Sequence, residues 1–303
     1  MKFKSYAKLN LWLRIIGKLK SGYHSINSLI VFCDLYDSVD IKKGQNSGIV
    51  FSGIFGHHLD PKKDYLVQST VEALSSHLGV DCRKFKIEIE KNIPIASGLG
   101  GGSINAATLV KGLLKVTGND KIYDPTSGYF DKKKYRDLIK ILTNLGTDIP
   151  VCFAGKNSLV TGIGDIVNPI GKLPKFWLVL INPGKSLSTE TVYNNFIFCK
   201  ERVENLESKL SINSLVNLEN FFSFINRKCY TYDLIPTAIK QIPEIQEALK
   251  LLSSVKKCKK VGMSGSGATC YGLFSKENEA QRCVDYIEKK VKGWWVKKSK
   301  ILT

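Results

Sequence analysis

Four glycines within five positions, Gly98 and Gly100–Gly102, constrain this chain more than any other feature of its sequence. A strictly alternating segment from Lys84 to Glu90 leads toward them, and helical spacing follows from about Ser103 to Val116. Glycine adopts positive φ and lets the backbone approach a ligand, and the free amides at a helix start attract anions. This order therefore favours a phosphate-binding loop, to which Ser103 adds a hydroxyl that can cap the helix or donate to a phosphate oxygen.

The loop differs from three common phosphate-binding patterns. No Gly-Lys-Ser/Thr follows it, as it would in a Walker loop. Ser103 stands where the third glycine of the dinucleotide fingerprint belongs, and a helix follows where protein kinases have a hairpin. A glycine-rich turn that only caps a helix stays open as an alternative, although each ordered glycine costs about 1 kcal/mol.

Three further segments carry chemistry only in combination with the loop. On the early strand, Lys8 and Asn10 share one face if Leu9 and Leu11 face the core; an ordinary amphipathic strand is the alternative. A carboxylate in apolar surroundings just after a helix, Asp148, can act as a base toward a hydroxyl or can satisfy its own turn. The third is a second Gly/Ser loop at 261–269, which suits packing against phosphates or a simple tight turn.

The charge of the chain limits its partners. Its 303 residues hold 45 Lys+Arg and 27 Asp+Glu, a formal net charge of +18, which favours nucleic acid, acidic lipid or phosphorylated small molecules. Only six of these cations are arginine, the residue that nucleic-acid grooves use for bidentate contacts, and the lysines form short, scattered clusters. The pattern is typical of a lysine-rich solvated surface.

Cysteine spacing and hydropathy indicate a cytoplasmic protein. None of the eight cysteines forms a Cys-x-x-Cys pair and there are four histidines, so we expect reduced, buried thiols and no metal site within the protein. No uncharged run reaches the ~18 residues that span a bilayer.

Apolar periodicity predicts an α+β chain of two domains, residues 1–165 and 166–303. Helices are expected at 64–79, 103–116, 135–145 and 276–290, with mostly helical structure over 187–255. Strands are expected at 3–16, 84–90, 151–153, 158–161, 176–181, 259–263, 268–274 and 293–301, and strand or helix–strand over 25–43.

In this order the segments resemble the galactokinase–homoserine kinase–mevalonate kinase–phosphomevalonate kinase (GHMP) superfamily. The three motifs are the Lys8 strand, the Pro-x-x-x-Gly-Leu-Gly loop that begins at Pro94, and the glycine-rich turn after Met263. The resemblance implies an ATP domain like ribosomal protein S5 domain 2, followed by a ferredoxin-like domain. It also implies in-line transfer of a phosphoryl group from ATP, with Mg²⁺ arriving on the nucleotide.

Gly22-Tyr-His24 and the extended Gly-Gly-Gly run narrow the resemblance to one branch of the superfamily. That branch phosphorylates the 2-hydroxyl of a cytidine diphosphate-linked methylerythritol on the non-mevalonate route to isoprenoid precursors. The implied partner is this small molecule, without nucleic acid or membrane, and the implied assembly is a monomer or weak homodimer. A sibling kinase for mevalonate or homoserine, or a basic RNA-binding protein on an S5-like scaffold, remains an alternative.

The resemblance assigns roles to individual residues. Asp148 is expected to take or orient the hydroxyl proton, and Lys8 to stand beside it and polarise the hydroxyl. The residues expected to bind ATP are Lys91, Pro94, Ser97, Gly98, Leu99, Gly100, Gly101, Gly102, Ser103 and Asn105. The residues expected to contact the alcohol substrate are Asn10, Tyr23, His24 and Tyr193, and those expected to support the loop are Gly265, Ser266 and Gly267.

Two positions depart from the branch pattern. Ile104 stands where a second serine usually follows the glycines, which leaves Ser103 as the one hydroxyl of the pair. Asp64-Tyr65-Leu66 replaces the usual Asp-Asn-Leu before the first helix, so stacking by Tyr65 is expected to replace a polar contact to adenine or its ribose.

Overall fold

Residues 1–44, 47–61, 65–197 and 217–303 are described by a computed structural model, in which the chain forms two compact units. The first unit contains Met1–Ala7, Leu35–Ile93 and Gly101–Gly155, and the second contains Lys8–Asp34, Pro94–Gly100 and Lys156–Thr303. Two long strands, β1 (Lys2–Lys18) and β2 (His24–Lys43), each contribute residues to both units. The predicted α+β organisation is confirmed, and the predicted boundary at 165 stays a prediction.

The first unit places helices against a short sheet. Strand β3 (Gly48–Ser52) lies parallel to β4 (Phe85–Glu90), and β4 pairs antiparallel with the end of β2 from Ser38 to Lys43. The helices are α1 (Tyr65–Leu78), α2 (Gly101–Val116), α3 (Lys132–Leu145) and α4 (Ile149–Ala154). Helix α2 packs against α1 and α4.

Local sequence explains these elements. In β4, Phe85, Ile87 and Ile89 are buried and alternate with half-buried charged residues, as predicted. Helix α1 ends at Leu78, followed by Gly79 at φ +64°, the left-handed conformation that glycine supplies at helix ends.

The second unit is built on an antiparallel sheet in the order β10 (Trp295–Lys300), β7 (Trp177–Asn182), β9 (Cys270–Phe274) and β8 (Lys260–Met263). Strand β5 (Ser158–Thr161) pairs with β6 (Ile166–Pro169) and with the start of β2. The described helices are α5 (Thr189–Asn194), α6 (Leu218–Ile225), α7 (Ile235–Gln241), α8 (Glu244–Ser253) and α9 (Glu277–Glu288). Helices α8 and α9 pack on the sheet and bury apolar residues such as Ile245, Leu252 and Ile287.

Several predicted elements need correction. The strand predicted over Val151–Phe153 is wrong, because these residues lie in helix α4. A short buried apolar run has no periodicity that distinguishes strand from helix, and Pro150 in the first turn favours the helix. Strands β3 and β6 were not predicted. The mostly helical prediction over 187–255 is met by helices α5–α8, while residues 198–216 and Asp64 lie outside the described part of the chain.

The described cysteines are free thiols, and five of them are buried: Cys33, Cys82, Cys152, Cys270 and Cys283. Among the residues that the structure describes, no helix is both long enough and apolar enough to cross a bilayer.

Candidate active site

The glycine loop adopts the backbone conformations that its composition predicts. Gly98 and Gly100 have φ of +79° and +71°, and Ala96 also has a positive φ of 49°, which is strained for a residue with a side chain. A Cβ on Gly98 would lie 2.0 Å from the carbonyl oxygen of Ser264. Gly98 is therefore required twice, by its conformation and by the close approach of another backbone.

The second Gly/Ser turn lies against the first loop within the second unit. Ser264 Oγ donates to the Gly98 carbonyl at 2.9 Å, and the amide of Thr269 donates to the Ser97 carbonyl at 3.1 Å. Two of the predicted supporting residues make close contacts here. A Cβ on Gly265 would lie 2.8 Å from the Gly98 carbonyl oxygen. The hydroxyls of Ser266 and Thr189 share a hydrogen bond of 2.9 Å. The amide of Gly267 donates to the Ser264 carbonyl at 3.0 Å, which closes the turn.

Lys8 and Asn10 are brought together on β1, as their spacing predicts. Lys8 Nζ donates to Asn10 Oδ1 at 2.9 Å, and the two residues are 3% and 2% exposed. The Lys8 amide donates to the Leu99 carbonyl at 3.2 Å, and a Cβ on Gly100 would lie 2.6 Å from Lys8 Cγ. Both faces of the strand are buried here, so the lysine ammonium is held at the loop without bulk water around it.

Asn10 is engaged at both ends of its amide, which the sequence did not predict. Its Oδ1 also accepts from the Gly265 amide at 3.1 Å, and its Nδ2 donates to Ser28 Oγ at 2.8 Å. The residue assigned to substrate contact is thus also a link between the lysine strand and the second turn.

The first unit holds Lys91 in a buried ion pair with Asp37. The other oxygen of the Asp37 carboxylate accepts from the amides of Asn92 at 2.7 Å and Ile93 at 2.9 Å. A Cβ on Gly101 would lie 3.3 Å from Lys91 Nζ, so the ammonium stands beside the first residue of α2. Lys91 was predicted from the sequence and Asp37 was missed; the structure places Asp37 directly before the buried residues Ser38 and Val39 of β2.

The start of α2 differs from the prediction in one respect. The helix begins at Gly101, so Ser103 is its third residue and the predicted capping role is wrong. Ile104 is 2% exposed and packs into the core, where a serine hydroxyl would gain no solvent contact. Ser97 Oγ and Asn105 Oδ1 are buried and have no hydrogen-bond partner among the described residues. Because a buried unpaired polar atom costs about 1–3 kcal/mol, these two atoms are suited to a polar ligand.

Asp148 occupies the position before α4 and is half-buried, with Ile149, Pro150 and Val151 buried after it. Its carboxylate makes no capping hydrogen bond to the helix. Asp148 lies in the first unit and Lys8 in the second, so their predicted pairing stays a prediction.

Aromatic rings surround His24 in the second unit. The ring centroids of His24 and Tyr193 are 5.5 Å apart, and those of His24 and Phe196 are 6.1 Å apart, edge to face. Tyr23, which precedes His24 in the sequence, is 55% exposed. Burial, and secondarily the charge of Lys18, lowers the pKa of His24, which favours a neutral ring. Phe196 was missed, although its spacing of three residues from Tyr193 places both on one side of a helical turn.

Two family models match this chain: "GHMP kinases N terminal domain" over residues 65–156 and "GHMP kinases C terminal" over residues 198–293. The class is therefore that of the GHMP kinases, and the predicted two-domain α+β fold of this class is confirmed. The glycine loop, Lys91 and Asp148 lie within the N-terminal match.

Relatives and solved structures narrow the class. The 4-diphosphocytidyl-2-C-methyl-D-erythritol kinase of Parvibaculum lavamentivorans is 31% identical over 297 residues, 97% of this chain and 95% of the relative. That of Paracoccus denitrificans is 33% identical over 290 residues, 96% and 93% of the two chains. A crystal structure of 4-(cytidine 5'-diphospho)-2C-methyl-D-erythritol kinase shares the fold with a TM-score of 0.73, 24% identity and full coverage of both chains. The crystal structure of the homoserine kinase of Cytophaga hutchinsonii has a TM-score of 0.60 and 17% identity, and the match covers 98% of this chain and 94% of that one.

The chain belongs to the GHMP kinases and, within them, to the 4-diphosphocytidyl-2-C-methyl-D-erythritol kinase family. It is a kinase, and the mevalonate, homoserine and RNA-binding alternatives are not favoured by these matches.

Proposed function

We propose that this protein transfers the terminal phosphoryl group of ATP to the 2-hydroxyl of 4-diphosphocytidyl-2-C-methyl-D-erythritol. The transfer is a step of the non-mevalonate route to isoprenoid precursors. The observation that carries the proposal is similarity along nearly the whole chain to relatives that bear this enzyme's name. Each part of the reaction requires suitable side chains or backbone groups among the described residues.

The nucleotide phosphates need donors, and the loop supplies them. Backbone amides at the start of α2 and the positive end of its dipole favour an anion. Ser97 Oγ is buried without a partner among the described residues, so a phosphate oxygen would satisfy it. The Lys91 ammonium, paired with Asp37, stands beside Gly101 as a fixed donor, and Ser103 adds a hydroxyl in the first turn. Mg²⁺ would arrive on the nucleotide and neutralise charge that develops on the phosphates.

The adenine side of the site is proposed to involve Tyr65. This residue is the first of α1 and is 76% exposed, while the next residue, Leu66, has a methyl 3.3 Å from the position of a Cβ on Gly102. An exposed ring so close in sequence to the loop contact suits stacking on a base.

The cytidine end of the alcohol substrate suits the aromatic cluster of His24, Tyr193 and Phe196, joined by Tyr23. Aromatic faces stack on a nucleobase, and a neutral imidazole both donates and accepts hydrogen bonds at the base edge. The lowered pKa of His24 favours that neutral form at neutral pH. Mevalonate and homoserine carry no base for such a cluster to hold.

Catalysis is proposed to depend on position and charge. The Asp148 carboxylate accepts or orients the proton of the attacking 2-hydroxyl, and the Lys8 ammonium polarises that oxygen and stabilises its developing negative charge. The attacking oxygen forms a bond to phosphorus as the bond to the ADP oxygen breaks, which requires an in-line arrangement that the loop fixes. The enzyme is proposed to act in the cytoplasm on this small molecule alone, as a monomer or weak homodimer.

The test is an assay of ADP release with Mg-ATP and the cytidylated methylerythritol. We expect turnover that CDP inhibits and mevalonate does not. Asp148→Asn should lower kcat by at least about 100-fold while leaving nucleotide binding largely intact, because a catalytic acid or base contributes about 10²–10⁴. Absence of turnover by folded wild-type protein would refute the proposal, and full activity of Asp148→Asn would remove that residue's role. Steeply salt-dependent RNA binding would instead favour the RNA-binding alternative.

A further inference from the structure

Ser28 lies at the centre of the second unit and is fully buried, where its hydroxyl makes two hydrogen bonds. Ser28 Oγ is 2.6 Å from the carbonyl oxygen of Trp12 and 2.8 Å from Asn10 Nδ2. A carbonyl oxygen can only accept, so the one hydroxyl proton of Ser28 points to Trp12. The Ser28 oxygen must therefore accept from Asn10, which fixes the direction of both hydrogen bonds.

That direction determines which end of the Asn10 amide faces Lys8. The nitrogen is held by Ser28, so the oxygen faces the other way, where it accepts from Lys8 Nζ at 2.9 Å and from the Gly265 amide at 3.1 Å. The backbone N–H of Gly265 is always a donor, which independently requires oxygen at this position. The amide is thus oriented from three sides.

We propose that Ser28 is a positioning residue for phosphoryl transfer: through the Asn10 amide it orients the Lys8 ammonium and the turn at Gly265. The inference rests on the proposed function in that Lys8 acts on the substrate hydroxyl. If Ser28 is lost, Nδ2 loses its acceptor and the amide is held by its oxygen alone, so the side chain can shift and move the Lys8 ammonium with it. A misplaced ammonium lowers the rate of the chemical step more than it weakens binding of ATP.

A neighbouring serine provides a matched control. Ser158, on β5, is also fully buried, and its hydroxyl also donates to a backbone carbonyl, that of Lys156 at 2.7 Å. Ser158 pairs with Ile30, two residues from Ser28 on β2, so the two serines share a strand environment. The difference between them is the hydrogen bond from Asn10, which only Ser28 receives among the described contacts.

Three variants isolate that hydrogen bond: Ser28→Ala, Ser28→Cys and Ser158→Ala. Alanine leaves a smaller side chain than serine, and cysteine a slightly larger one that accepts hydrogen bonds weakly, so an effect common to both reports on hydrogen bonding and not on packing. We expect both Ser28 variants to lower kcat about five- to tenfold with the KM for ATP within about twofold, since both weaken or remove the hydrogen bond from Asn10. Ser158→Ala should stay within about twofold of wild type in both constants. Wild-type kcat in Ser28→Cys, or an equal loss in Ser158→Ala, would overturn the role of Ser28.

A second measurement does not depend on turnover. In protein labelled with ¹⁵N-asparagine, the Asn10 side-chain amide is identified by its loss in Asn10→Ser. Its two proton resonances should shift in Ser28→Cys and stay unchanged in Ser158→Ala. If wild-type protein lacks turnover with the cytidylated substrate, the proposed function fails, yet these resonances still decide whether Ser28 orients Asn10. Unchanged resonances in Ser28→Cys would refute the relay even in an active enzyme.

Discussion

Two buried lysines stand beside the glycine loop, one in each unit, and they are held by different means. In the first unit, the charge of Lys91 faces the carboxylate of Asp37, which also takes the amides of Asn92 and Ile93. In the second unit, Lys8 donates to the neutral amide oxygen of Asn10. Both lysines are 3% exposed, so the difference lies in their partners and not in their burial.

The two arrangements suit two tasks. A buried carboxylate cancels the charge of its lysine and fixes the chain around it, at the expense of desolvating both groups. An amide oxygen orients an ammonium without adding a charge of its own, which suits a group that acts on a reacting hydroxyl. We therefore expect changes at Asp37 to act mainly on folding stability, and changes around Asn10 to act mainly on the reaction.

The largest expected effect comes from Asp37→Asn. Asparagine retains an oxygen for the Asn92 and Ile93 amides, so the substitution removes the charge and replaces the oxygen that accepts from Lys91 with an NH2 donor. Breaking one partner of a buried ion pair leaves the other charge uncompensated, which should lower the free energy of unfolding by about 3–5 kcal/mol. Urea denaturation followed by circular dichroism measures this loss.

The control for this prediction is the double variant Asp37→Asn/Lys91→Met, which leaves no charge at the position of this pair. It should recover most of the stability that Asp37→Asn loses, since replacing both members of a buried pair is often close to neutral. A double variant that is less stable than the single one would show that the pair stabilises the fold by more than mutual neutralisation. The contrast with the second unit would then have to be revised.

A pair of glycines gives the next effect, because Gly98 belongs to the second unit and Gly102 to the first. Alanine at position 98 would have to adopt φ +79° with its Cβ 2.0 Å from the Ser264 carbonyl oxygen. We expect Gly98→Ala to lower the free energy of unfolding by about 2–4 kcal/mol, from the left-handed conformation and from the displaced backbone.

At Gly102 the same substitution meets, among the described residues, only the end of the Leu66 side chain, 3.3 Å away, and alanine is the better helix former. Gly102→Ala should therefore change the free energy of unfolding by no more than about 1 kcal/mol. Equal losses at the two positions, in the same urea titration, would mean that the close approach of Ser264 to Gly98 has no energetic consequence.

Sequence patterns predicted the parts of this site that are local in the chain. The glycine loop, the shared face of Lys8 and Asn10, and most strands and helices follow from spacing within a few residues. The partners that hold them come from far away: Asp37 lies 54 residues before Lys91, and Gly265 lies 255 residues after Asn10. No periodicity encodes such pairings, because they depend on which strands meet.

Helix α4 shows the other limit of sequence patterns. Its apolar run is too short to display a period of either two or 3.6 residues, so periodicity alone could not distinguish a strand from a helix. Burial of Ile149 to Phe153 within the first unit selected the helix. Tertiary context decided the structure, as it did for the buried polar face of β1.

The smallest expected effect is a pH dependence at His24. It tests whether the second unit holds the nucleobase through an uncharged imidazole, as it holds Lys8 through the uncharged amide of Asn10. Burial and then the charge of Lys18 lower the pKa of His24 from its ordinary value of 6.5. A histidine whose pKa is lower in the folded protein contributes stability that is complete above the unfolded pKa and is lost as the pH falls through the folded value.

The same protonation removes the acceptor nitrogen that His24 would offer to the nucleobase. The KM for the cytidylated substrate should rise modestly as the pH falls below the ordinary histidine pKa and through the lowered pKa of His24, while the KM for ATP changes little. In His24→Gln this pH dependence should disappear, and in Lys18→Gln it should move to higher pH, because the charge that lowers the pKa is gone. If the KM of His24→Gln keeps the wild-type pH profile, another group is responsible, and the neutral-ring contact to the base is wrong.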